Sequence, residues 1–161
     1  MSIFPSEFTQ SIYKSGRSTW VGFVIVIVVA IISAVIVNQV FGPLTDDRDV
    51  INFILLLNVT LTAGLLIFGF RVYNSRIRES IAEGRHLPDK LNRYRSAIAV
   101  FLVICTFPIF IALLCFVFTG NIYIFVIVAM CFGAVLMKAP TRARATSELQ
   151  LTSSEKKEFA E

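Results

Sequence analysis

Few side chains in this sequence are of the types that do chemistry, and their spacing argues against it. The single histidine, His86, sits in Arg85-His86-Leu87-Pro88, a turn signal with no second ligand type beside it. A nucleophilic triad needs a carboxylate next to the imidazole. Asp46, Asp47 and Asp49 lie in another segment, separated from His86 by an uncharged apolar run, so that run would hold them apart. The three cysteines, Cys105, Cys115 and Cys131, are odd in number, lack a Cys-x-x-Cys spacing and lie in apolar stretches. That pattern excludes a disulfide framework and a zinc site and reads as thiols packed as small apolar groups. No catalytic, cofactor-binding or metal-binding residue is expected, and the chain is read as not being an enzyme.

The chemically active residues that do cluster are basic. Arg71, Arg76, Arg78, Arg85, Lys90, Arg93 and Arg95 account for seven of the fifteen Lys/Arg residues. A net charge of +4 would suit nucleic acid. These residues border long apolar runs, however, where positive charge has a topological cause, so no nucleic-acid partner is expected. Clusters of about 4–8 Lys/Arg beside a membrane crossing also attract anionic lipid headgroups. Both readings stand for this connector.

The elements that position the cluster follow from where charge is missing. Only 16% of residues are charged and 56% are hydrophobic, against roughly 25% charged in a soluble domain. There is no charged residue in 20–40, in 50–70 or in 96–137. About 20 apolar residues in a helix cross a hydrocarbon core of about 30 Å. The first two runs hold one crossing each. The third is about twice as long and is broken by Thr119-Gly120-Asn121, so it holds two. The expected fold is all-α: a four-helix transmembrane bundle with spans at about 19–41, 50–70, 96–119 and 122–137, and a helical hairpin extension between spans two and three. An interfacial segment 1–18 precedes this 19–141 domain and a tail, 142–161, follows it. The first run is Val- and Ile-rich, which in water would suggest strand, but in lipid an unpaired backbone must form helix.

Local signals mark the ends. Phe4, Phe8 and Ile12 recur at four before the first span, with Pro5 suited to a first helical turn. Gly42-Pro43 ends that span, and Asp49 is the expected cap of the second. Arg71 to Glu83 contains no Gly or Pro, so the second helix should continue to a stop at Gly84, and Pro88 should start the next. Pro108 interrupts the third span. Pro140 stops the fourth, and Thr152-Ser153-Ser154-Glu155 resembles the start of a short helix over residues 153–160.

Basic residues near span ends favour the cytoplasmic side. With both termini inside, every Lys and Arg except Arg48 falls there. The expected location is a bacterial inner membrane, multi-pass, with both termini cytoplasmic.

No Asp, Glu, Lys, Arg or His lies within a span, which tells against ion-coupled carriers and proton pumps. The polar groups that occur there, Asn38, Asn52, Asn58, Thr60, Thr62 and Thr106, are of the kind that bond helix to helix. Small residues recur at helical spacing as Ala30/Ala34/Asn38, Cys105/Pro108/Ala112/Cys115/Thr119 and Ala129/Gly133. They mark faces for packing within the chain or on another membrane subunit or copy. The function expected is that of a non-catalytic integral membrane protein, a structural or accessory subunit of a larger complex. The alternatives are a small channel or carrier for an uncharged or lipid-like solute, using Asn52, Asn58 and Thr62, and a lipid-acting enzyme at the cytoplasmic face. The partners expected are the bilayer, anionic headgroups and other membrane subunits, with no cofactor.

Three stretches resemble a known group: Lys90-Leu91-Asn92-Arg93-Tyr94-Arg95-Ser96-Ala97, Phe118-Thr119-Gly120-Asn121, and Lys138-Ala139-Pro140-Thr141 followed by Glu148-Leu149-Gln150-Leu151. They are similar to small four-span membrane proteins of Bacteroidota, a group without an assigned activity. The resemblance covers the C-terminal half and implies fold and compartment only.

Overall fold

The computed structural model describes residues 6–82 and 86–160, and their backbone forms six helices. These are α1 (Ser6–Phe41), α2 (Arg48–Ala82), α3 (Leu87–Thr119), α4 (Ile124–Met137), α5 (Arg142–Glu148) and α6 (Ser153–Ala160). No strand occurs among the described residues. The expected helix stop at Gly84, the connector's Arg85, and Phe4 and Pro5 lie outside them.

Helices α1, α2 and α3 are each long and apolar enough to cross a membrane; α4 and α5, bent by 79° at the break between them, make a fourth crossing if taken as one span. Helices α1 and α2 each contain one charge-free run and extend past it, and α3 takes the first part of the third run, with α1 ending at Gly42-Pro43 and α3 at Gly120-Asn121.

The body is organised around α3, which packs against α1, α2 and α4. Half of its most apolar window is buried, against 11% for α1 and for α2. Small side chains on α3, including Cys105, Ala112 and Thr119, are buried and let its neighbours approach. The outer faces of α1 and α2 stay uncovered: Ile25, Val29 and Ile32 are exposed, as are Phe53, Leu57 and Phe68. An apolar surface this continuous is suited to lipid rather than water.

Two buried clusters result. The first gathers Ile12, Tyr73, Leu91, Tyr94, Phe101, Val135, Ala145 and Phe159, so all six helices contribute. The second gathers Ile27, Ala34, Ile109, Leu113, Ile124 and Cys131 from α1, α3 and α4. In that half α2 buries Asn58 and Thr62 instead.

The turns follow their residues. Gly120 takes a left-handed φ of 62° and donates its N–H to the Phe116 carbonyl at 2.8 Å, closing α3 where a Gly-Asn signal stands. It lies so close to Pro43 that an added Cβ would meet the proline ring at 3.1 Å. Both chain reversals at this end are thereby pressed together. Asn38 bridges them by donating to the Phe116 and Val117 carbonyls at 3.4 and 3.5 Å.

Three local expectations are corrected. The carboxylate that caps α2 is Asp47, not Asp49: its Oδ1 accepts the backbone N–H of Asp49 at 2.9 Å and of Val50 at 3.4 Å. The helix therefore starts at Arg48, because a cap must precede the amides it accepts. Residues 6–18 are not a separate surface segment but the first turns of α1, with Ile12 in the shared core and Gly16 against the Arg95 side chain. The stretch after Pro140, expected as a tail with one short helix at 153–160, is more structured than that. It folds into α5 and α6, and Ala145, Leu149, Leu151 and Phe159 are buried. Helix α6 covers the residues expected of it; α5 was not expected.

Candidate functional site

Polar side chains concentrate at the end of the body where α2, α3, α4 and the C-terminal residues meet. Glu148, the last residue of α5, lies at the centre. It accepts a hydrogen bond from the Tyr73 hydroxyl and pairs with Lys138 at 3.2 Å, with Arg144 Nε at 3.9 Å. Lys138 also sits over the Tyr73 ring, 4.1 Å from its centre. Arg144 turns back to donate to the Met137 and Ala139 carbonyls, which α4 leaves unpaired at its C-terminus. From α1, Tyr13 donates to the Pro140 carbonyl at 2.8 Å and Trp20 to the Val135 carbonyl at 3.1 Å. The Tyr94 hydroxyl is buried beside the Tyr73 hydroxyl and near the Glu148 charge. The chemistry here is cohesive: one carboxylate is matched by two cations and a phenol, and the result ties α5 to α2 and α4.

The basic connector is divided three ways. Lys90 forms an ion pair with Glu155 of α6 at 2.7 Å. Burial would push the Glu155 carboxyl up, but hydrogen bonds from Lys90 and Thr152 outweigh it and hold the group below the usual carboxylate range. Arg71, Arg78 and Arg95 are exposed. Arg76 and Arg93 line a cleft of about 390 Å³ between α2 and α3 with Val72, Ser75, Glu79 and Ser96. There Arg76 donates to the Ser96 hydroxyl at 2.9 Å, and Ser75 donates to Glu79 at 3.2 Å.

Deeper along the body, Asn58 donates to the Cys115 sulfur at 3.4 Å and accepts from Thr62 at 3.3 Å. Both are buried, and together they tie α2 to α3. The adjoining space between α2 and α4, about 370 Å³, is walled by Leu55, Val59, Thr62, Leu66, Tyr123 and Met130 among others and is almost wholly apolar. Thr62, bonded to Asn58, borders this space, while Asn52 and Thr60 face outward. His86 is exposed at the start of α3. No group of three or more His, Cys, Asp or Glu able to hold a metal occurs among the described residues. The three cysteines are free thiols.

Of the small-residue faces, those on α1 and α3 are used inside the chain. The one on α4 is not: Ala129 is exposed and a Cβ added at Gly133 would meet nothing within 4 Å. The Glu148 cluster was not read from the sequence because what closes it, Tyr73, lies 75 positions away, although Lys138 and Arg144 are near neighbours. The one available signal was Thr141 after Pro140, which caps α5 by accepting the Arg144 N–H at 3.2 Å.

Helices of this length and apolarity define a membrane protein. The sequence matches no protein-family model, no curated protein and no solved structure.

Proposed function

We propose that the chain is a four-span protein of a bacterial inner membrane, both termini cytoplasmic, that acts by binding as a structural or accessory subunit. Two hydrogen-bonded levels support the span assignment. Trp20 bonds α4 at one level and Asn38 bonds the end of α3 at the other. Eighteen residues of α1 separate them, about 27 Å of helix, close to a hydrocarbon core of about 30 Å. Helix α4 covers part of this depth, 14 residues or about 21 Å, with Phe125 against Phe116 toward one level and Val135 bonded to Trp20 at the other. The paired and exposed basic residues then gather beyond the Trp20 level, which the positive-inside tendency assigns to the cytoplasm.

The observation that carries the subunit reading is a set of glycines with nothing to pack against. A Cβ added at Gly22 of α1, Gly64 of α2 or Gly133 of α4 would meet no atom within 4 Å. Glycine inside a helix costs about 1 kcal/mol relative to alanine, and no contact within this chain offsets it. A neighbouring helix approaching these faces would. The test is purification in gentle detergent followed by mass spectrometry: a stoichiometric partner or a defined homo-oligomer is expected, lost on Gly133→Leu. Recovery of wild-type monomer alone overturns the reading.

One observation favours the lipid-acting alternative: Glu79 shares a cleft with Arg76 and Arg93. Its carboxylate is engaged by Ser75, and among the described residues the cleft lining offers no imidazole, thiol or second carboxylate. The arrangement is better suited to holding a phosphodiester than to cleaving one.

A further inference from the structure

We propose that the cleft between α2 and α3 is a headgroup site for an aminophospholipid, its phosphate held by Arg76 and Arg93 and its ammonium by Glu79. This rests on the membrane reading above and names a partner within it.

The cleft is built rather than incidental. Arg76 is half-buried and its guanidinium is fixed by the Ser96 hydroxyl of the facing helix at 2.9 Å. A fixed guanidinium loses little freedom on binding, and its planar fork matches two phosphate oxygens. Arg93 reaches the same space from α3, and the Ser75 and Ser96 hydroxyls can add hydrogen bonds to the remaining oxygens.

What identifies a lipid rather than a free phosphate is the continuation of the two walls. On α2, Phe68, Val72, Ser75, Arg76 and Glu79 recur at helical spacing on one stripe. On α3, Arg93, Ser96, Val100, Val103 and Phe107 do the same. Toward the bilayer both stripes turn apolar and stay uncovered, with Phe68 56%, Val103 57% and Phe107 57% exposed. A molecule whose phosphate lies at Arg76 thus has two apolar rails on which to lay its acyl chains. Inorganic phosphate gains nothing from them.

What selects the amine is the order of groups away from the membrane. Val72 stands at the bilayer end of the cleft and Glu79 two turns beyond it, about 10 Å along the axis, with Arg76 between them on α2. Ethanolamine and serine headgroups carry a phosphodiester followed by an ammonium in that order. A glycerol headgroup would set neutral hydroxyls against the Glu79 carboxylate.

The test uses the full chain in mild detergent with an equimolar mixture of phosphatidylethanolamine, phosphatidylglycerol and phosphatidylcholine of matched chains, read by native mass spectrometry. Retention of phosphatidylethanolamine above the other two is expected. Arg76→Gln and Arg93→Gln should each lower it about fivefold, and Arg78→Gln, whose side chain is exposed and outside the cleft, should not. Glu79→Gln should abolish the preference over phosphatidylglycerol while a lipid still binds. Millimolar phosphoethanolamine should fail to displace it. Equal loss in Arg78→Gln would mean diffuse charge attraction and overturn the site. Displacement by phosphoethanolamine would mean a soluble phosphate site, and no preference in the wild type would remove the role of Glu79. A partner subunit appears in the same spectrum as a separate mass, so loss of the subunit reading leaves this result standing. Carbonate extraction of the chain from membranes would refute the membrane reading itself.

Discussion

Side chains from all six helices meet around Tyr73, Leu91 and Tyr94, whereas only α1, α3 and α4 bury apolar residues around Ile109 and Cys131. In the second region α2 contributes only the partly buried Leu55 and Leu66 to the apolar packing. It buries Asn58 and Thr62 and exposes Phe53, Leu56 and Leu57. The difference follows from the solvent each region excludes. At the proposed cytoplasmic end, an uncovered leucine would face water, so the chain folds α5 and α6 back to close a core and pairs the charges it covers. Within the bilayer an uncovered leucine faces other hydrocarbon, so closing the core gains little and polar contacts tie the helices instead.

The sharpest way to break this comparison is one truncation made in both regions. Leu91 is 1% exposed and Leu113 4% exposed, so the two sites are equally enclosed. Leu91→Ala should cost about 2–5 kcal/mol, because transfer and cavity terms both apply. Leu113→Ala should cost less than half as much, since lipid reclaims the transfer term and only packing is lost. Unfolding in mixed micelles with rising sodium dodecyl sulfate measures both. Equal losses would mean that both regions exclude the same solvent.

A smaller effect is expected at Glu148. Removing it leaves Lys138, Arg144 and the Tyr73 hydroxyl without their shared acceptor. Glu148→Ala should cost about 1–3 kcal/mol, the penalty for stranding partly buried donors. It should also release α5 and α6 to limited proteolysis while leaving the α1–α4 contacts protected. If cleavage after residue 141 is unchanged, the C-terminal helices are held by Leu149, Leu151 and Phe159 alone.

Two glycines separate backbone need from surface. Gly120 needs its left-handed conformation and abuts Pro43, so Gly120→Ala should cost about 1–2 kcal/mol. Gly133 lies in open space on α4, so Gly133→Ala should leave the lone chain as stable as before or slightly more so. The same unfolding assay reads both. A loss at position 133 in the monomer would show an intramolecular neighbour there.

What could be read from the sequence was local or forced by lipid. The reversals at Gly42-Pro43 and Gly120-Asn121 were legible because the residues dictate the backbone, and the long helices because an unpaired backbone has no alternative in hydrocarbon. A helix does form over most of the stretch expected as span four, 122–137, at Ile124–Met137, and counts as a crossing only if joined to α5. The fold-back of α5 and α6 was not legible, since Glu148 finds Tyr73 across 75 positions of chain and no periodicity encodes that. The basic connector was legible as a cluster, but not its division into a paired Lys90, a cleft lined by Arg76 and Arg93, and exposed remainders. That sorting depends on which faces α2 and α3 turn to each other. Capping by Asp47 rather than Asp49 was a choice among three neighbouring carboxylates that only the loop geometry makes.

The smallest expected effect concerns the seam between α6 and α3, where Lys90 meets Glu155. The carboxyl is held below its ordinary value of about 4.3 because hydrogen bonds from Lys90 and Thr152 outweigh the cost of burial. A group whose folded value is depressed binds its proton more weakly in the docked state than in the undocked one. Its contribution is therefore fully present above the ordinary carboxylate range and disappears as pH falls through the lowered value. A nitroxide on residue 156, which is exposed on α6, should stay restricted at neutral pH and gain mobility only under acid conditions. Lys90→Met removes the cation and leaves burial, which raises the carboxyl, so the transition should move to higher pH. An unchanged transition would assign the docking of α6 to the Tyr13–Phe159 ring contact rather than to the ion pair. The seam between α6 and α3 would then be held by apolar packing without help from charge.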